Sequence, residues 1–174
     1  MSTPETSPVP RIDFDIETDR KRMLNSFLFS VALFFKLPLA FFAGLRVDSL
    51  SRQRCEVSLP YGWRSQNPFQ SIYFAAQAMG AEMSTGAIAM LATRNAPVSV
   101  AVIVVGTEAT FSKKANARTT FTCEMGEELF AAVERAIHTG ESSTVDIHTV
   151  GRMPDGTEVS RFRFTWSFKT RTKG

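Results

Sequence analysis

The stretch that decides the fold is NPFQSIYFAAQAMGAEMSTGAIAML, residues 67–91. Asn67 is a residue type that caps helices, and Pro68 fits a first helical turn, so the sequence predicts a helix over residues 67–93. Its side chains are apolar nearly all round, with small residues among large ones. That pattern is typical of a helix wrapped by other structure.

Glu82 is the one charged residue in this stretch. Desolvation makes a lone carboxylate in a covered helix costly to ionise, so proteins rarely keep one without a partner or a function. Three interpretations are open: an exposed stripe of the helix, an ion pair with an arginine such as Arg64, or chemistry at a site. Gln77 is interpreted as a hydrogen-bonded core amide.

Before this helix, the sequence predicts one N-terminal helix and a strand. Asp19 can cap a helix over residues 20–35, which Lys36 and Pro38 end. Alternation of apolar and polar residues predicts a strand within residues 46–59.

After this helix, strand patterns dominate. The β-branched run at residues 98–105 predicts a fully covered strand that extends towards residue 111. Strands are also predicted at residues 118–124 and 143–151, with a helix at residues 126–139 between them. A last strand follows a tight turn at residues 154–156 and places four aromatic residues on one face: Phe162, Phe164, Trp166 and Phe168.

Consecutive strands late in the chain argue for an α+β fold with an antiparallel sheet. The sequence contains no GxGxxG, GxxxxGK[ST] or GxSxG motif. The commonest dinucleotide-binding, P-loop and serine-hydrolase patterns are therefore excluded.

Composition indicates one globular domain in a chain of 174 residues. Residues 1–18 are polar and proline-containing and are predicted to be a disordered tail, with the domain at residues 19–174. The formal net charge of +3 is too dispersed to predict a nucleic-acid partner. Cys55 and Cys123 lack CxxC spacing and are predicted to be buried thiols, and His138 and His148 form no metal-ligand pattern. We expect no metal and no cofactor.

Residues 23–45 are rich in Phe and Leu but are interrupted by Lys36 and Pro38. The longest uncharged run is too short to span a bilayer, and acidic residues stand where a signal peptide would be basic. We expect a soluble, cytoplasmic protein with no membrane partner. The alternatives are a secreted protein and a membrane-associated protein that uses residues 27–42.

The long helix with its antiparallel sheet resembles the hotdog fold, and the sequence resembles the phenylacetate-pathway-type acyl-CoA thioesterases. Their motif is Asn, five residues, His-Gly-Gly, six residues, then Asp or Glu. At that spacing this sequence has Asn67, Tyr-Phe-Ala at residues 73–75, and Glu82, followed by Ser99 in the next strand. The sequence resembles more closely a branch of this superfamily with no assigned function. Three segments carry this likeness: LPLAFFAGLRV, NPFQSIYFAAQ and TWSFKTR. The resemblance covers roughly residues 37–171.

The resemblance implies thioester hydrolysis. The backbone N–H of Phe74 would bind the thioester carbonyl oxygen, and Glu82 would act as general base on a water or attack directly. Asn67 would orient the water or the thioester, and Ser99 would hydrogen-bond Glu82 or the nucleophile. Tyr73 is either a core residue or a hydroxyl donor in place of the histidine.

The resemblance also implies partners: an acyl-CoA or acyl-carrier thioester, and further copies of the chain in a dimer or a dimer of dimers. Asn67 and Glu82 would then come from different subunits of a shared site. We expect Lys113, Lys114 and Arg118 to supply cations for CoA phosphates, and Gln77 and Tyr73 to lie at the substrate.

Other functions remain open at this point. One is a hotdog domain that binds an acyl or aromatic ligand without catalysis, or that only builds an oligomer. Another is a hydratase or dehydratase, which usually shows an Asp and a His just ahead of a helix; neither histidine here is so placed.

Overall fold

The computed structural model of the protein describes residues 12–171. Five helices are α1 (Glu17–Leu24), α2 (Ser26–Lys36), α3 (Pro38–Ala43), α4 (Phe74–Arg94) and α5 (Gly126–Thr139). Six strands are β1 (Arg46–Leu50), β2 (Cys55–Leu59), β3 (Val100–Phe111), β4 (Thr119–Cys123), β5 (Ser143–Arg152) and β6 (Glu158–Thr170).

One antiparallel sheet holds all six strands in the order β1-β2-β4-β5-β6-β3. The sheet wraps the long helix α4, which contacts every strand. Twelve of the 21 residues of α4 are buried. This is the predicted α+β hotdog arrangement: the sheet covers much of the apolar surface of α4, and helix α5 also packs against it.

The predicted start of the long helix was wrong. Helix α4 begins at Phe74, not at Asn67. The Asn67 Oδ1 accepts the N–H groups of Phe69 (3.0 Å) and Ser71 (3.3 Å), and the Asn67 N–H donates to the Ser71 carbonyl at 2.8 Å. Because Asn67 closes this local turn, in which Gln70 has a φ of 59°, the chain turns before it enters the helix.

The N-terminal part was predicted as one helix but contains three. Asn25 separates α1 from α2 and caps α2, since its Oδ1 accepts the N–H of Leu28 at 3.1 Å. Pro38 opens α3, as the missing N–H of proline allows. These two helices expose several large apolar side chains: Phe27, Leu28, Phe34, Phe35, Leu39 and Phe42.

The expected disordered tail, residues 1–18, falls largely outside the described residues, which exclude 1–11. Within the described part, Phe14 is buried and packs edge-on against Phe130 of α5 at 5.0 Å between ring centroids. The N–H of Ile12 donates to Glu134 Oε1 at 3.1 Å. The packed part of the chain therefore begins before residue 19, because these apolar side chains cover α5.

Strand β3 was predicted to be fully covered, and that prediction was wrong for the single chain. β3 pairs with β6 alone and forms one edge of the sheet as described for residues 12–171. Val102, Ile103 and Val105 are exposed by 41%, 62% and 57%. A β-branched run shows that a segment is extended, whereas its position in the sheet depends on which strands pair with it.

The later predictions were confirmed. Helix α5 spans residues 126–139, and the four aromatic residues of β6 are buried. Gly156 has a φ of +85° in the predicted turn, and its N–H donates to the Met153 carbonyl at 2.9 Å. Cys55 and Cys123 are buried free thiols opposite each other on β2 and β4.

None of the helices in residues 12–171 combines the length and the apolarity needed to span a bilayer.

Candidate active site

Glu82 lines an apolar cavity of about 240 Å³. The helices α1, α2 and α4 and the strands β3 and β6 supply its walls. The other large side chains that line it are uncharged: Met23, Phe29, Leu33, Leu37, Met83, Met90, Val102 and Trp166. Among the described residues that line this cavity, Glu82 is therefore the one ionisable group, and the apolar lining suits a hydrocarbon chain.

The Glu82 carboxylate has no hydrogen-bond or ion-pair partner within residues 12–171, and burial raises its pKa above the usual value of 4.5. Arg64, the partner that the sequence suggested, lies instead in a separate pocket between α2 and the sheet. The ion-pair interpretation of Glu82 was therefore wrong. The exposed-stripe interpretation stays open, since Glu82 is only partly buried. The carboxylate is an ionisable group held in an apolar wall, as catalytic bases often are.

Two residues on α4 shape the space around this carboxylate. A Cβ on Gly86 would lie 3.1 Å from Glu82 Oε1 and 3.4 Å from the Trp166 ring, so the glycine keeps the cavity open. The Trp166 Nε1–H donates to Thr85 Oγ1 at 3.1 Å, which fixes the indole as a wall. A glycine four residues after the glutamate was a signal that the sequence reading missed.

A second cavity of about 610 Å³ lies at the N-terminal end of α4. Six of the predicted site residues line it together: Asn67, Tyr73, Phe74, Gln77, Lys113 and Lys114.

Phe74 is the first residue of α4, and no side chain in the described part of the protein caps this helix. The N–H of Tyr73 donates to the Ser65 carbonyl at 2.7 Å, and the first N–H bonded within the helix is that of Gln77, which donates to the Tyr73 carbonyl at 3.1 Å. The N–H of Phe74 belongs to the first turn, whose donors have no helical acceptor. The positive end of the helix dipole thus meets this cavity.

Two polar side chains that line the second cavity, those of Gln77 and Lys114, form hydrogen bonds within the chain. Gln77 is buried; its Nε2 donates to the Ile72 carbonyl at 3.2 Å and its Oε1 accepts the Ser160 hydroxyl at 2.9 Å. The Lys114 ammonium donates to the Phe69 carbonyl at 3.3 Å. Gln77 therefore has the contacts of a core amide, while the exposed lysines give the cavity its positive charge.

The predicted residues do not form one site in a single chain. Glu82 follows Phe74 by eight residues, about 12 Å along the helix, and lines the other cavity. Ser99 is exposed ahead of β3; its carbonyl accepts the N–H of Arg171 at 2.9 Å. Arg118 lines a third pocket, with Arg46 and Arg64.

Residues 25–168 match the sequence family described as a domain of unknown function, DUF4442. The chain belongs to the DUF4442 family. Among curated proteins, none is significantly similar to this DUF4442 protein.

Solved structures share the fold of this DUF4442 domain. A Pseudomonas aeruginosa protein of unknown function, described as a probable thioesterase, has a TM-score of 0.70 and 15% identity, over 94% of this chain and 100% of its own. A Chlorobaculum tepidum protein with unknown function has a TM-score of 0.70 and 15% identity, over 86% of this chain and 99% of its own. A Haemophilus influenzae thioesterase has a TM-score of 0.60 and 12% identity, over 95% of this chain and 98% of its own. At these identities the likeness shows the hotdog fold alone.

Proposed function

We propose that this DUF4442 protein hydrolyses an acyl thioester and that Glu82 is the general base. One observation carries the proposal: a carboxylate without a partner among the described residues lines an apolar cavity, and burial raises its pKa. A raised pKa brings a carboxylate nearer to the working pH, which is the requirement for a base. Thioesterases among the structures of the same fold agree with this reaction class.

In the proposed reaction, Glu82 accepts a proton from a water molecule as the water oxygen adds to the thioester carbonyl carbon. The negative charge that develops on the carbonyl oxygen is stabilised by the Phe74 N–H and the helix dipole. Asn67 orients the water or the thioester, and Ser99 hydrogen-bonds Glu82. The intermediate then expels the thiolate, which takes the proton from Glu82, and the free acid leaves.

The proposed site is shared by two copies of the chain. Within one chain Glu82 and Phe74 line different cavities, about 12 Å apart along α4. The exposed apolar edge of β3 is a natural place for a second copy to pair, because an unpaired edge strand offers free backbone donors and acceptors. Such pairing could join the Asn67 and Phe74 cavity of one copy to the Glu82 cavity of the other.

The proposed substrate is an acyl-CoA or an acyl-carrier thioester. Lys113 and Lys114 line the cavity that contains Asn67 and Phe74, where they could contact a carrier phosphate. Tyr73, exposed by 48%, would contribute its hydroxyl to the same cavity. Two free thiols on adjacent strands fit a reducing compartment, which supports a cytoplasmic location as part of this proposal.

The test is thiol release from short, medium, long and aromatic acyl-CoAs by the wild type and by Glu82→Gln. We expect turnover to fall at least about a hundredfold in the variant, the scale for losing a general base. The matched control is Glu141→Gln, which removes an exposed carboxylate and should leave turnover unchanged. Equal turnover by the wild type and Glu82→Gln would exclude Glu82 as the base.

A second candidate function is ligand binding without catalysis. Phe74 is exposed by 56% in the cavity and packs edge-on against Tyr73 at 4.9 Å between ring centroids. These rings favour an acyl or aromatic ligand and leave less space for a carbonyl at the helix end. Tight binding of a fluorescent fatty acid, together with no turnover of any thioester in the panel, would favour this alternative.

A further inference from the structure

The third pocket, of about 430 Å³, contains three arginines that come from distant parts of the chain. Arg46 is the first residue of β1, Arg64 lies in the loop between β2 and α4, and Arg118 precedes β4. Leu33 of α2 lines this pocket and also the Glu82 cavity, so the two spaces lie on either side of the same side chain.

A turn of the backbone and a neighbouring glycine position the Arg64 side chain at the pocket. Its turn is closed by Ser65, whose Oγ donates to the Pro60 carbonyl at 2.6 Å. Gly44 ends α3 with a φ of +80°, and a Cβ there would lie 3.3 Å from Arg64 Nη2. The guanidinium therefore occupies the space next to this glycine, in a position that a side chain would crowd.

The charges of this pocket are only partly balanced. Arg118 donates to Ser58 Oγ at 2.5 Å and pairs with Asp48 at 3.2 Å. Arg46 and Arg64 form no ion pair or side-chain hydrogen bond with any residue in the described part of the chain. Two guanidinium groups thus remain available, since none of the residues that line the pocket within 12–171 is a carboxylate and Asp48 is paired with Arg118. Such a cluster is stabilised by a bound anion.

The same loop presents a large aromatic surface. Trp63, directly before Arg64, is exposed by 87%. Trp63 does not line the pocket itself, but its exposed indole adjoins a pocket residue in the chain, and an exposed indole can stack on a purine base while guanidinium groups bind the phosphates. The pocket walls include Leu33, Phe41 and Pro60, which suit the uncharged part of a ligand.

We propose that Arg46, Arg64 and Arg118 form a binding site for the phosphate groups of a purine nucleotide, with Trp63 stacking on the base. Guanidinium groups bind phosphate oxygens through paired hydrogen bonds, so three of them can hold more than one phosphate. For a thioesterase the nucleotide is the 3′-phosphorylated adenosine diphosphate end of CoA. That last identification rests on the proposed function, whereas the nucleotide site does not.

The test is calorimetric titration of the whole protein with adenosine 3′,5′-bisphosphate, with CoA and with inorganic pyrophosphate. We expect binding of the first two, weakened by added salt, and at least about a tenfold loss of affinity in Arg46→Ala and in Arg64→Ala. Asp48→Asn should strengthen binding, because it frees Arg118. Trp63→Ala should weaken nucleotide binding and leave pyrophosphate binding unchanged.

Arg135→Ala is the matched control, since it removes one positive charge from the exposed face of α5. Each variant is checked by thermal unfolding, and Arg64→Gln replaces Arg64→Ala where folding is impaired. Nucleotide binding that is absent, or that the arginine variants leave unchanged, overturns the site. Nucleotide binding without thioester turnover supports the site and counts against the proposed function.

Discussion

Glu82 Oε1 lies 3.1 Å from the point where a Cβ on Gly86 would stand. The two residues are one helical turn apart on α4, so their side-chain positions adjoin on one face. The absence of a side chain at Gly86 leaves space for the carboxylate in the cavity that Trp166 also lines. The position of the proposed base is therefore set by a glycine as well as by the glutamate itself.

Gly86→Ala is expected to displace the Glu82 carboxylate by a few tenths of an ångström or more. Alanine favours a helix by about 1 kcal/mol over glycine, which offsets the crowding, so global stability should change little. Thioester turnover should fall roughly ten- to a hundredfold, because misplaced catalytic groups lose much of their effect. Steady-state kinetics and thermal unfolding measure the two effects separately. Full turnover in a stable Gly86→Ala protein would contradict the role of this contact.

The raised pKa of Glu82 predicts how its replacement alters stability with pH. The unfolded chain releases this proton near pH 4.5, whereas the folded chain retains it to a higher pH. Between these values the folded state binds more protons, so the free energy of unfolding falls as pH rises. Glu82→Gln removes this loss and should be more stable than the wild type at neutral pH, with the difference vanishing below the usual glutamate pKa.

Urea unfolding of the wild type and Glu82→Gln from pH 4 to pH 8 measures this effect, with Glu141→Gln as the control for an exposed carboxylate. Parallel pH profiles for the wild type and Glu82→Gln would contradict the partial burial of the Glu82 carboxylate as the cause of its raised pKa.

The exposed edge of β3 predicts an effect on assembly. Ile103, exposed by 62%, would be covered if a second copy pairs along β3. Ile103→Lys should then weaken self-association at least about tenfold, because the charge would be buried at the contact. Sedimentation velocity over a range of protein concentrations measures the strength of self-association. Thr144→Lys, at an exposed position of the inner strand β5, is the control. A wild type that sediments as a monomer would refute the shared site.

Gly126 is predicted to be intolerant of any side chain. A Cβ there would lie 1.9 Å from the Arg52 carbonyl oxygen, and this backbone cannot easily move, since the Gly126 N–H donates to the Gln53 carbonyl at 3.0 Å. Gly126→Ala should reduce the free energy of unfolding by about 3 kcal/mol or more. Gly62→Ala is the control, because no atom lies within 4 Å of a Cβ at that position. Similar stability losses in the two variants would contradict this contact.

The two cysteines are predicted to be unreactive in the folded protein. Burial raises the pKa of Cys123 to about 11, and burial together with the facing Cys123 raises that of Cys55 still further. Since the thiolate is the reactive form, labelling by a chromogenic disulfide reagent at pH 8 should be at least about a hundredfold slower than in denaturant. Fast labelling of both thiols in the native protein would show that β2 and β4 open readily.

The sequence by itself determined the elements whose signals are local. The aromatic face of β6 and the helix α5 follow from side-chain periodicity, because burial of one face imposes a fixed repeat along the chain. The long helix α4 follows from its length and from side chains that are apolar nearly all round. Glu82 could also be identified from the sequence, since an isolated charge in an apolar helix is recognised without knowledge of its contacts in the fold. The resemblance in residue spacing then indicated the fold that encloses such a helix.

Only the tertiary structure decided how distant segments meet. Asn67 uses its cap-forming oxygen in a turn, so α4 starts at Phe74. Strand order leaves β3 at an edge, although its composition is that of a covered strand. Chain packing assigns Glu82 and Phe74 to separate cavities and brings Arg46, Arg64 and Arg118 into one pocket. These relationships depend on register and on contacts between segments far apart in sequence, which local periodicity does not encode.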